Sequence, residues 1–431
     1  MQDVFFHPFF EVYTRDSFRA TPREHWIDGW KIEYMAITRP ATADRTPIVI
    51  VGGAFQNFNS YKYCVEQLLD AGPIILIDLP SMGNNQQITN VETGASAGIL
   101  ELPELAGFLG RWVQEVHLSK VSIMGMSLGS VVASHFAEQF PELIDRLVLM
   151  GVMQKTRQSW RMLLEESLHL MQEDRMEEFG QAVVLYLVNH ARLTETQLSP
   201  TAKRLFFKQM AQFANTERLR YEINCKRLLR LQNVPIPQCP TLVAVGEFDS
   251  FTLPFENANF ALQCPDMQFA VIKQADHLPQ LERRRETMGL FATYLRNESL
   301  DGLAGIEPLT REQMRQLERR GERRVHLTEP VRHISHRHAA VAASHVTVVD
   351  ISFFGVLLDA GSEQAAAALL AEPRDMALQL GEVDGEALVI ECLIFEQHGQ
   401  QVRALLKHGS FDNADHLHRL LASDAVLENL P

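Results

Sequence analysis

The stretch from Lys120 to Phe140, KVSIMGMSLGSVVASHFAEQF, constrains the fold more than any other. An apolar run enters Gly125-Met126-Ser127-Leu128-Gly129 and passes directly into residues that keep a helical period. A serine with a glycine two places away on each side, between a buried strand and a helix, fits a strained turn that exposes the hydroxyl. That turn brings backbone and helix so close that a β-carbon at Gly125 or Gly129 would clash. Val121, Ile123 and Met124 read as a buried parallel strand behind it. Ser127 is therefore the candidate nucleophile.

The surrounding chain alternates strand and helix, which predicts a mostly parallel, doubly wound α/β sheet covered on both faces. Strands are expected at Trp26 to Thr38, Pro47 to Val51, Pro73 to Asp78, Arg146 to Met150, Thr241 to Gly246 and Gln268 to Lys273. Helices are expected at Tyr61 to Ala71 and Glu101 to Val116. Between Met153 and Asn233 the alternation stops, and a Leu-, Met- and Phe-rich segment reads as several amphipathic helices inserted between two strands. Such an insertion is either a lid suited to an apolar acyl chain or a helical subdomain that only packs.

A serine hydroxyl needs a base, and the base needs a third group to fix its tautomer. An acid and a histidine stand at later strand ends, in the order Ser, Asp, His. Thr241 to Gly246 is followed by Glu247-Phe248-Asp249, and Gln268 to Lys273 by Gln274-Ala275-Asp276-His277. Asp249 is the expected orienter and His277 the expected base, with Glu247 and Asp276 read as exposed loop charges. Oxyanion donors are expected from the backbone amides of Leu128, at the helix start, and Ala54, in the loop Gly53-Ala54-Phe55.

Residues Trp30 to Arg296 resemble the α/β-hydrolase fold, and within it the 3-hydroxyacyl transferases that make rhamnolipid and polyhydroxyalkanoate precursors. The resemblance is carried by Val51-Gly52-Gly53-Ala54, by Ile77-Asp78-Leu79-Pro80-Ser81-Met82-Gly83 and by Gly246-Glu247-Phe248-Asp249-Ser250-Phe251-Thr252. It implies an ester or thioester substrate and no cofactor for catalysis. Val51-Gly52 stands where many hydrolases carry His-Gly, and no H-x-x-x-x-D motif follows Ser127, since Phe140 lies five places after His135.

A chain of 431 residues predicts two or three domains. We expect the α/β domain at 1–298 with its helical insertion at about 153–233, a linker at 299–310, and a second domain at 311–431. From Val325 the pattern shifts to short strands: Val325 to Val331, Val346 to Ser352, Val356 to Leu358, Met376 to Leu380, Ala387 to Phe395 and Val402 to Leu406. This spacing predicts a small antiparallel barrel closed by a helix near Asp412 to Ala422.

Arg320-Gly321-Glu322-Arg323-Arg324 satisfies R-x-x-x-R, and Asp350-Ile351-Ser352-Phe353-Phe354-Gly355 satisfies [D/N]-x-S-x-x-G. Together they resemble a PilZ domain, the bacterial receptor for cyclic di-GMP, over about Arg311 to Leu420. The resemblance implies a ligand site at Arg320, Arg324, Asp350, Ser352 and Gly355, and Arg319 with Arg323 offers a second arginine frame. Guanidinium forks suit this ligand because they bind phosphate bidentately and reach guanine O6 and N7.

The formal net charge of −14 argues against a nucleic acid polymer as partner. Five scattered cysteines without a C-x-x-C pair predict reduced, structural thiols. His326, His333, His336 and His338 lack a tetrahedral ligand spacing, so no metal is expected. The first residues show no positively charged leader and no run long enough to cross a bilayer, which points to the cytoplasm. The expectation is a serine hydrolase or acyltransferase with cyclic di-GMP as regulatory ligand, against a non-catalytic adaptor on the same scaffold. A homodimer or protein partner is left open.

Overall fold

The computed structural model describes residues 9–152, 154–189, 192–319, 323–336, 344–371, 376–383, 385–423 and 426–427. The chain divides into two compact units: Met1–Thr156 with Thr194–Leu198 and Ala214–Arg319, and Arg157–Leu193 with Ser199–Phe213 and Arg320–Pro431.

The first unit is built on one ten-stranded sheet. Its strands are β1 (Glu11–Val12), β2 (Arg23–Ile27), β3 (Trp30–Thr38), β4 (Ile48–Val51), β5 (Ile74–Asp78), β6 (Val121–Met126), β7 (Ile144–Met150), β8 (Thr241–Gly246), β9 (Met267–Ile272) and β10 (Ile306–Pro308). The order is β1-β3-β5-β4-β6-β7-β8-β9-β10, with β2 paired to β3. From β5 through β9 all neighbours are parallel. The central strands are apolar without alternation because both faces are covered. Successive side chains point to opposite faces. Val49, Val51, Ile123, Leu147 and Val243 join one core with Trp112 and Phe136, whereas Ile48, Ile50, Met124, Val148 and Leu242 join another with Leu68 and Phe291.

The helices in chain order are α1 (Val65–Leu68), α2 (Leu102–Glu115), α3 (Leu128–Gln139), α4 (Gln158–Gln172), α5 (Met176–Leu187), α6 (Leu193–Thr196), α7 (Pro200–Ala211), α8 (Asn215–Arg230), α9 (Pro254–Ala261), α10 (Pro279–Glu282), α11 (Arg284–Leu295) and α12 (Arg311–Arg315). The helix read at Tyr61 to Ala71 shrinks to a 3-10 turn at Phe58–Tyr61 and the single turn of α1. The Asn57 side chain accepts from the Asn59 amide and the Ser60 side chain from the Asn57 amide, so local capping starts the tighter turn early. Within the stretch read as a linker, Ile306–Pro308 extends the sheet by pairing antiparallel with β9.

The second unit contains a closed six-stranded antiparallel barrel. Next to β11 (His326–Leu327), it is formed by β12 (Val331–His336), β13 (Ser344–Ile351), β14 (Gly355–Asp359), β15 (Met376–Val383), β16 (Glu386–His398) and β17 (Gln401–Leu406), in the order β12-β13-β14-β17-β16-β15. The single strand expected at Val325 to Val331 is two, divided at Pro330, which has no N–H to give a ladder. Helices α13 (Glu363–Ala371) and α14 (Phe411–Leu421) flank barrel strands in the chain, and Leu417 and Leu420 of α14 enter the barrel core.

Helices α4, α5 and α7 of the insertion pack with the barrel. Tyr186 of α5 donates to the Leu406 carbonyl at 2.6 Å, Lys407 pairs with Glu166 of α4 at 2.7 Å, and the Phe411 amide donates to Gln181 at 2.7 Å. Helix α8 belongs to the sheet unit.

Candidate active site

Ser127 sits between the last residue of β6 and the first of α3 with φ 51° and ψ −117°, a left-handed conformation that is uncommon for a residue with a side chain. The turn is held from both sides, because the Ser127 amide donates to the Met150 carbonyl at 2.8 Å and the Ser127 carbonyl accepts from the Ser130 amide at 2.8 Å. The flanking glycines have a steric reason. A β-carbon on Gly125 would lie 2.5 Å from the Gly129 carbonyl oxygen, and one on Gly129 would lie 2.2 Å from that of Val51.

The parallel strands β6, β8 and β9 end on the same edge of the sheet, and their following loops bring three distant side chains together. His277 Nε2 lies 3.1 Å from Ser127 Oγ, and His277 Nδ1 lies 2.9 Å from Asp249 Oδ2. Asp249 and His277 are both buried. Asp249 is anchored independently: Oδ1 accepts from the amides of Phe251 at 3.0 Å and Thr252 at 2.7 Å, and Oδ2 also accepts from the Thr252 hydroxyl at 2.7 Å. Phe251 meets the His277 ring edge-on at 5.0 Å. Gly151, with φ 65°, passes so close that a β-carbon there would stand 3.0 Å from His277 Cε1. Serine, imidazole and carboxylate thus form a continuous hydrogen-bonded line able to carry a proton from the hydroxyl to the ring.

The loop after β4 runs beside the serine. A β-carbon on Gly53 would lie 3.2 Å from Ser127 Cβ and 3.1 Å from the Met126 carbonyl oxygen, so a side chain there would crowd the nucleophile. Leu128 is the first residue of α3, and its amide is one of those a helix leaves without an intrahelical acceptor. Phe55, next to Ala54, stacks on Tyr221 of α8 with ring centroids 5.1 Å apart and planes 15° apart.

Two sequence readings need correction here. Asp276 is buried, not an exposed loop charge: it accepts from the His277 amide at 2.8 Å, while its own amide donates to Glu282 at 2.6 Å. Burial first, and then the nearby Glu282 and Asp249 charges, hold the Asp276 carboxyl well above the usual range, and burial pushes Glu282 up to about 8. Glu247 is half-buried rather than exposed: it pairs with Lys273 at 2.5 Å and accepts from the Gln274 amide at 2.9 Å.

Sequence reasoning missed Thr252, which the spacing Asp249 to Thr252 foreshadows as a local side-chain-to-backbone turn. It also missed the buried arginine behind the β5 loop. Arg227 of α8 donates to the carbonyls of Leu100 at 2.6 Å and Ala97 at 2.8 Å, to Ser81 Oγ at 2.9 Å and to Asn224 at 2.8 Å. Burial lowers its pKa to about 10, and neutral acceptors satisfy the guanidinium. At the end of β5, burial pushes Asp78 up to about 8.

In the barrel unit, Arg324 pairs with Asp350, and its guanidinium lies 3.8 Å from the position a β-carbon on Gly355 would take. Ser352 is buried in the turn between β13 and β14, where its hydroxyl accepts from the Gly355 amide at 3.2 Å and its amide donates to the Gly355 carbonyl at 2.8 Å. The Ser352 hydroxyl, expected in the ligand site, is engaged in shaping this turn. Arg323 is exposed. Arg319 belongs to the sheet unit, where it lies over the Phe255 ring at 5.4 Å. Arg320 lies outside the described residues. The two residues inside the motif, Phe353 and Phe354, both meet His408: Phe353 stacks on it at 4.3 Å, and Phe354 meets its edge at 5.4 Å and stacks on Tyr186 at 5.2 Å.

The chain resembles known proteins over part of its length. A family profile described as alpha/beta hydrolase fold matches residues 46–284. Epoxide hydrolase 1 of Caenorhabditis elegans is 20% identical over 152 residues, covering 33% of this chain and 36% of that protein, about a third of the relative's length. MGS-M2, an alpha/beta hydrolase enzyme from a Medee basin deep-sea metagenome library, superposes with a TM-score of 0.55 and 16% identity, over 64% of this chain and 98% of its own. A thermophilic esterase from Thermogutta terrifontis gives 0.52 and 21%, over 64% and 98%. The enol-lactonase from Burkholderia xenovorans gives 0.53 and 15%, over 63% and 99%. At these identities the shared property is the fold.

Proposed function

Because this chain belongs to the α/β-hydrolase fold family, we propose that it is a serine hydrolase or acyltransferase acting on an ester or thioester, with cyclic di-GMP as the ligand of its barrel. The observation that carries the catalytic half is the hydrogen-bonded line Ser127–His277–Asp249, with contacts of 3.1 and 2.9 Å.

Ser127 Oγ attacks the acyl carbonyl while His277 Nε2 takes its proton. Asp249 holds the proton on Nδ1 and balances the charge that develops on the ring. The amides of Leu128 and Ala54 stabilise the tetrahedral oxyanion. Collapse expels the alcohol or thiol, which receives the proton from His277, and leaves an acyl-serine. Water then completes hydrolysis, or a second hydroxyl completes transfer, by the same steps reversed. Replacing Ser127 by Ala should abolish turnover of p-nitrophenyl esters and acyl thioesters, and unchanged turnover would remove the catalytic reading.

The nucleotide half rests on the juxtaposition of Arg324, Asp350 and Gly355 on a closed six-stranded barrel. Arg324 would pass from Asp350 to a ligand phosphate, and Asp350 would accept from the guanine edge, with Arg323 and Arg320 adding phosphate contacts. The ligand would be a small molecule recognised by arginines, independent of the acyl substrate. Titration calorimetry of the full chain with cyclic di-GMP should show binding that Arg324→Ala weakens at least tenfold. Absence of heat with the wild type would leave an enzyme with an unliganded barrel.

A further inference from the structure

We infer that Gln56, braced by Tyr61, is a positioning residue that assigns the oxyanion to the Ala54 amide. The inference rests on the catalytic reading above. Gln56 Oε1 accepts from the Gly53 amide at 2.7 Å and from the Tyr61 hydroxyl at 2.6 Å, and both Gln56 and Tyr61 are buried. A backbone N–H can only donate, so the atom facing Gly53 is the oxygen and the orientation of the amide follows. The Gln56 backbone N–H donates to the Gly53 carbonyl at 3.1 Å and closes the loop on itself.

The consequence concerns which amide meets the substrate. Gly53 passes directly beside the nucleophile, since a β-carbon built there would lie 3.2 Å from Ser127 Cβ. Its N–H is nevertheless engaged by Gln56 and is withdrawn from the reacting carbonyl. The next amide, that of Ala54, is then the loop donor, beside Leu128 at the helix start. The loop is fixed at two points: Gln56 and Tyr61 hold Gly53, and the Phe55–Tyr221 stack holds the residue after Ala54. A donor aimed at developing charge must be fixed before reaction, so loosening one point lowers the chemical step and leaves ground-state binding.

The test is covalent labelling of the full-length protein by a fluorophosphonate probe, followed as maximal rate and half-saturation separately, well below each variant's melting temperature. The wild type should label and Ser127→Ala should not; an unlabelled wild type ends the catalytic reading itself. Given labelling, Gln56→Met should lower the maximal rate roughly 10- to 100-fold, less than the roughly 100- to 1,000-fold for deleting an oxyanion donor, with half-saturation unchanged. Tyr61→Phe removes only the brace and should lower the rate at least threefold in the same manner, which keeps the test available if Gln56→Met fails to fold. Labelling of Tyr61→Phe and of any folded Gln56→Met at the wild-type rate, or a change confined to half-saturation, overturns the inference.

Discussion

Replacing Asp249 by Asn changes one atom, and its outcome can be worked from the four hydrogen bonds the side chain receives. Oδ1 accepts from two backbone amides, at 3.0 and 2.7 Å, which can only donate. An asparagine must therefore keep its oxygen there and turn its NH₂ toward the Oδ2 position, facing His277 Nδ1 and the Thr252 hydroxyl. The hydroxyl can rotate to accept. The imidazole can accept only by giving up the Nδ1 proton, which puts its proton on Nε2, the atom 3.1 Å from Ser127 Oγ. A ring in that tautomer cannot take the serine proton. The expected loss in kcat is about 1,000- to 10,000-fold, or about 4 to 5.5 kcal/mol at 1.36 kcal/mol per tenfold. Thermal unfolding should change little, because the substitution is isosteric and all four contacts keep a partner. Ester turnover over a range of pH, with unfolding as control, checks this. Turnover of Asp249→Asn within tenfold of the wild type would refute the tautomer argument.

Further outcomes follow from the same packing. Gly129→Ala would place a β-carbon 2.2 Å from the Val51 carbonyl oxygen, so the variant should lose at least about 3 kcal/mol and the elbow geometry with it, read by denaturant unfolding. Glu282 carries a folded pKa raised to about 8 against an ordinary 4.5, so between those values the native state holds the proton that the unfolded chain releases. Its contribution to stability is full below about pH 4.5 and is lost as pH rises toward 8; Glu282→Gln should flatten that part of a melting-temperature profile, and an unchanged slope would reject it. Tyr186→Phe leaves the Leu406 carbonyl without its donor and should cost about 1 kcal/mol, with faster amide exchange in α5 as the confirming readout.

Much of the architecture was legible because the determining patterns are short. Four-to-six-residue apolar runs such as Ile48–Val51 and Thr241–Gly246 admit little but doubly covered strands. The loops that end in Ser127, Asp249 and His277 follow such runs, so their appearance at one sheet edge could be read from chain order alone. Partners set by contact were not legible. Asp276 looks like any loop carboxylate until its own amide and that of His277 are seen tied to a buried acid pair. Arg227 looks like a solvated helix residue until four neutral acceptors surround it.

The insertion is the clearest division between the two levels. Its composition was sufficient for helices, because periodic Leu, Met and Phe residues need an apolar face to cover, and it left their destination undetermined. The tertiary structure places α4, α5 and α7 with the barrel and α8 with the sheet, through contacts such as Tyr186 to Leu406 and Arg227 to Ser81. By itself the sequence determined the strand-turn-helix around Ser127, since no side chain larger than hydrogen fits at Gly125 or Gly129. Only the tertiary structure decided what that serine meets, because a hydrogen bond spanning 150 residues depends on where every intervening element comes to rest.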